Sequence, residues 1–62
     1  MTEAERRELQ DVADGVLPID MRSEKRRVRL KIYGLAWREL YYPWTWHLTD
    51  EGREILNQRR EA

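Results

Sequence analysis

Arg22, Lys25, Arg26, Arg27, Arg29 and Lys31 crowd one short stretch of the chain, and Glu24 is the only acid among them. The first twenty residues have the opposite bias, with Glu3, Glu5, Glu8, Asp11, Asp14 and Asp20 against Arg6 and Arg7. Over all 62 residues the formal net charge is zero, which argues against a generic polyanion binder. A polarised molecule with one basic band is more informative than that net charge. The band is either a surface offered to an anionic partner or a solvated face turned toward the acidic first segment. The second chemistry-bearing group is Tyr41-Tyr42-Pro43-Trp44. Large amphipathic rings at an exposed turn anchor partners, by stacking on bases or by docking on a protein. His47 is the single histidine and there is no cysteine, so no converging ligand set for a metal is expected. Neither a nucleophile-base arrangement nor a phosphate-cradling glycine loop is present, so neither an enzyme nor a bound cofactor is expected.

The elements that must position these groups are marked by punctuation. Pro43 fixes its own φ and drives Tyr42 out of the helical region, so residues 37–41 and 44–48 read as strand, turn, strand. On the second arm Trp44, Trp46 and Leu48 share one face by period-2 alternation, and Thr45 and His47 take the other. The first face is expected to be buried, and Trp37, Trp46 and Trp44 are expected in the core, since a chain without phenylalanine must fill its interior with something large. Thr49 stands where a helix N-cap belongs, and Asp50 and Glu51 stand in the first turn, where the helix dipole favours negative charge. Ile55 and Leu56 supply the apolar stripe. Gly52 is a poor helix former, so its place in that first turn implies that another backbone or ring approaches too closely for a Cβ.

Gly34-Leu35, the hairpin over residues 36–48 and the Leu48-Thr49-Asp50-Glu51-Gly52-Arg53 helix start together resemble the C-terminal half of winged helix-turn-helix domains. The resemblance implies an α+β fold: an N-terminal helix, a basic helix, a β-hairpin wing and a C-terminal helix. It covers under half of the chain, and winged helices also serve as protein-binding modules.

The length allows one domain, residues 1–62, of marginal stability. No apolar run is long enough to span a membrane and the N-terminus is unlike a signal peptide, so a cytoplasmic location is expected by default. Thr2 and Glu5 form a capping box, Leu9, Val12, Ala13 and Val16 follow helical spacing, and Gly15 offers a stop. Leu17 to Met21 reads as short and extended, matching the first small strand of a winged helix. Gly15 to Gly34 is too short for two full helices, so either the second helix of the motif has shrunk to a turn or the topology differs.

Residues 23–33 admit two readings. As a helix the segment is capped by Ser23 or Asp20, stops at Gly34, buries Val28, Ile32 and Leu35 with Met21 one turn before, and exposes Arg22, Arg26 and Arg29. As a strand over residues 26–33 it alternates Val28, Leu30 and Ile32 against Arg27, Arg29 and Lys31, and forms an antiparallel sheet with residues 17–21. Periodicity favours the strand; the Gly34-Leu35 step and the wing pattern favour the helix, which is the reading adopted. The resemblance then implies a recognition helix in the major groove of double-stranded DNA. Arg22, Arg26 and Arg29 would face the bases, Lys25 and Lys31 the phosphates, and the wing would bring Arg38, Tyr41 or Tyr42 beside the backbone or minor groove. The implied function is that of a small transcriptional regulator of the kind found in phages and mobile elements, with a second copy needed for useful affinity. The alternative is an adaptor or inhibitor that binds a protein partner through the Tyr41-Tyr42-Pro43-Trp44 turn or a strand edge.

Overall fold

The computed structural model describes residues 1–61, with side-chain surroundings given through Gln58. Helix α1, Glu3–Ala13, begins at the expected capping box. The Glu5 N–H donates to Thr2 Oγ1 at 3.1 Å and the Thr2 N–H donates to Glu5 Oε1 at 2.7 Å. At the other end Gly15 takes φ +76°, and the Val16 N–H returns to the Asp11 carbonyl at 2.9 Å, closing the helix in a left-handed cap. The buried face is Glu5, Glu8, Leu9 and Val12. Ala13 and Val16 are exposed rather than part of the apolar stripe, because the Asp14-Gly15 turn ends the helix before Val16 can reach the core.

Residues 14–20 contain no helix and no strand. The expected extended pairing of Leu17, Ile19 and Met21 is therefore absent, and all three side chains are exposed. A strand there would need a partner, and residues 26–33 are not one. Helix α2, Met21–Ile32, starts at Asp20, whose side chain accepts from the Ser23 N–H at 2.8 Å. It ends at Gly34, φ +78°, with the Leu35 N–H donating to the Leu30 carbonyl at 2.9 Å. The helical reading of this segment holds and the strand reading fails. Its rotation differs from expectation: Ser23, Arg27 and Leu30 face inward, while Met21, Val28 and Ile32 are exposed.

Strands β1, Ala36–Arg38, and β2, Trp46–Leu48, pair antiparallel with Ala36 opposite Leu48, Trp37 opposite His47 and Arg38 opposite Trp46. Alternation sends Ala36, Trp46 and Leu48 toward the helices and Trp37 to the outer face. Trp37 is thus half-exposed, stacked on His47 at 4.5 Å, and not a core residue. Trp44 also stays outside the core, because its backbone at φ +55° leaves the strand geometry that would have aligned it with Trp46. Between the strands a turn closes with the Trp44 N–H on the Tyr41 carbonyl at 2.8 Å, and the Tyr42-Pro43 peptide is cis.

Helix α3, Asp50–Glu61, packs Leu56 and Ile55 against a core of Leu9, Val12, Leu30, Leu35, Ala36 and Trp46. Thr49 joins this helix to the end of α2. Its hydroxyl donates to the Gly34 carbonyl at 2.7 Å and accepts from the Gly52 N–H at 3.1 Å, and its own N–H donates to the Leu35 carbonyl at 3.1 Å. A Cβ on Gly52 would lie 2.1 Å from the Leu35 carbonyl oxygen, so the close approach expected from the sequence is a backbone contact. The result is a small α+β, winged-helix-like arrangement: N-terminal helix, basic helix, two-stranded hairpin, C-terminal helix.

Candidate nucleic-acid interface

The surface that α2 presents is set by an ionic cluster on its buried side. Glu8, 4% exposed on α1, accepts from Ser23 Oγ and from Arg27 Nε, both at 2.8 Å. Arg27, 1% exposed, also donates through Nη2 to the Val16 carbonyl in the connection between the helices. No buried side-chain nitrogen or oxygen among the described residues lacks a hydrogen-bond partner. A buried ion pair of this kind adds little net stability over an apolar pair, yet losing one partner strands a charge, at a cost of about 3–5 kcal/mol. The cluster therefore fixes which side of α2 turns inward.

With Ser23, Arg27 and Leu30 inward, the helical repeat places Arg22, Lys25 and Arg29 on the exposed side. Arg26 sits at the border. It is half-buried, with Nη1 3.7 Å from Glu8 Oε1, so part of its charge is answered inside the fold rather than free for an external base as expected. Arg22, Lys25, Arg26 and Arg29 together line one open, shallow cleft. Lys31 is exposed but lies around the helix from Arg22 and Arg29, separated from them by Met21, Val28 and Ile32. Arg38 is exposed on the hairpin. It lies on the hairpin face turned toward α2, with its guanidinium 5.8 Å from the centroid of the Trp46 ring and Nη1 3.7 Å from Glu24 Oε1. Pairing with Arg38 also occupies the one acid of the basic segment.

The hairpin tip is where the sequence puts it. Leu40, Tyr41 and Tyr42 are 81–84% exposed, and Trp44 meets Tyr42 edge to face at 5.2 Å. On the hairpin's outer face His47 Nε2 lies 2.8 Å from Glu39 Oε1, which gives the histidine a structural place between Trp37 and Glu39. At the α1 N-terminus the Thr2 backbone N–H, donating to Glu5, holds that carboxyl below the usual glutamate range against the opposing effect of burial. Thr2 Oγ1, the chain's amino group and Arg29 act in the same direction. Among the described residues no cluster of three or more His, Cys, Asp or Glu side chains could hold a metal ion, and no helix is long and apolar enough to cross a membrane.

Sequence reasoning missed Glu8, Ser23 and Arg27 as the residues that orient α2. The available signal was the spacing of Ser23, Arg27 and Leu30 at i, i+4 and i+7, which is as good a stripe as Met21, Val28 and Ile32 once an internal acid is granted. No family, curated protein or solved structure matches the chain.

Proposed function

We propose that this chain is a small cytoplasmic winged-helix DNA-binding protein without catalytic activity, acting as a transcriptional regulator. The exposed side of α2 enters the major groove and the hairpin flanks it. The observation that carries this reading is the sorting of the cations. Arg27 is buried against Glu8 and Arg38 lies 3.7 Å from Glu24 at the surface, while Arg22, Lys25 and Arg29 sit together on the exposed side of one helix, with Arg26 at their edge. In a chain of zero net charge this concentrates the positive field on the element best shaped for a groove. The test is duplex binding by fluorescence anisotropy across a salt series. Affinity should fall steeply with salt, and replacing Arg22, Lys25 and Arg29 together by Gln should weaken binding and flatten the logarithmic salt slope by about 2–3. Arg53→Gln, on exposed α3 surface, should leave both unchanged. Salt-independent or undetectable binding would refute the reading.

One observation favours a second reading, an adaptor or inhibitor that docks a protein through the hairpin turn: three adjacent apolar side chains at the tip are almost fully exposed. Under that reading Tyr41→Ser with Tyr42→Ser abolishes partner binding, while the Gln variants of α2 do not.

A further inference from the structure

The exposed side of α2 is not uniformly polar. Met21, 71% exposed, Val28, and Ile32, 75% exposed, lie on one stripe with Lys25, at i, i+7, i+11 and i+4. At a rise of about 1.5 Å per residue the stripe runs about 16 Å along the helix. That is the length of roughly five base-pair steps. Arg22 and Arg29 run along one edge of the stripe, and the other edge carries Lys31 together with Glu24, whose carboxylate lies 3.7 Å from Arg38. A cationic edge of Arg22 and Arg29, with Lys25 inside the stripe, set beside an apolar strip is the complement of a groove walled by phosphates whose floor offers apolar contacts. The only apolar group on the floor of the DNA major groove is the 5-methyl of thymine. Resting on the duplex-DNA reading of α2, we infer that Met21, Val28 and Ile32 are specificity-determining residues that read thymine methyl groups, so the preferred site carries thymines along the face α2 covers. The same arrangement excludes double-stranded RNA, whose uracils lack the methyl and whose major groove is too deep and narrow for side chains to read.

The three side chains are exposed, so they can be changed with the core intact. The experiment selects bound duplexes from a randomised pool and compares the enriched duplex with its counterpart carrying deoxyuridine for every thymine; if no sequence is enriched, the whole pool is compared in the two forms. The expected result is weaker binding of the deoxyuridine form, by roughly fourfold for each methyl contacted. A Met21→Gln, Val28→Ser, Ile32→Gln variant, checked for retained helicity by circular dichroism, should bind the two forms equally while keeping the salt dependence of the parent. Equal, salt-dependent binding of both forms by the unchanged chain would overturn the thymine contact and leave the duplex reading standing. Absence of salt-dependent binding to either form would overturn both.

Discussion

Glu8 answers one buried guanidinium, one half-buried guanidinium and a buried hydroxyl, so its charge matters more for orientation than for stability. Arg27→Met leaves that buried carboxylate only the Ser23 hydroxyl and the Arg26 guanidinium 3.7 Å away, and should cost about 3 kcal/mol in urea denaturation, the low end for breaking a buried pair. Glu8→Leu combined with Arg27→Met should recover most of the loss, since no charge is then left alone in the interior. A double variant as unstable as Arg27→Met would mean that the pair is a source of stability in its own right. Glu5 makes a different prediction because its folded pKa is depressed. A carboxyl of this kind contributes stability that is complete above the ordinary glutamate value, about 4.3. The contribution is lost as pH falls through the lower folded value. The stability gap between the parent and Glu5→Gln should therefore be constant near neutrality and close progressively in acid. The capping box was legible in the sequence because its partners are three residues apart. The Glu8–Arg27 pair, separated by 19 residues, was not, since only the packing of α1 on α2 brings it together.

Among the elements, α3 is tied to the rest of the fold by contacts that small residues permit. Gly52→Ala pushes a methyl into the Leu35 carbonyl and should destabilise the fold by about 1–3 kcal/mol, although Ala is the better helix former. A stabilised variant would show that α3 can shift away from Leu35. Thr49, Gly52 and Gly34-Leu35 were legible because each residue type has a geometric reason to stand there. The rotation of α2 was not. Apolar count along the segment points to Met21, Val28 and Ile32, and only the neutralisation of Arg27 by Glu8 makes the other face the buried one. The hairpin shows the same limit. Its existence follows from Pro43 and the alternating aromatics, but Trp37 and Trp44 lie outside because the register opposes Trp37 to His47 and because φ +55° takes Trp44 off the strand. Trp46 is the ring that fills the core, so Trp46→Ala should cost about 3–5 kcal/mol and unfold much of the population, whereas Trp37→Ala should be far milder.

At the scale of the whole molecule, the polarity visible in the sequence is partly consumed by folding. α1 supplies Glu8 to Arg26 and Arg27, and Glu24 goes to Arg38, so these two acids are used against the flank of the basic helix and its neighbour, while of the exposed-side cations Arg29 is the one that interacts with an α1 acid, Glu5. What remains is a cationic, apolar-striped face on α2 and an aromatic tip, two surfaces that the duplex reading uses together and the protein-partner reading uses separately. The sequence made the basic band and the tip visible, but it could not say which cations would be answered internally. The most direct test of the DNA-binding claim is a ¹⁵N–¹H correlation spectrum of the labelled chain titrated with mixed-sequence duplex at low and moderate salt. Shifts are expected at Met21, Arg22, Lys25, Val28, Arg29 and the hairpin tip, relaxing as salt rises, with α1 and α3 quiet. A spectrum indifferent to duplex at low salt, or one shifted on α1 instead, would contradict the claim.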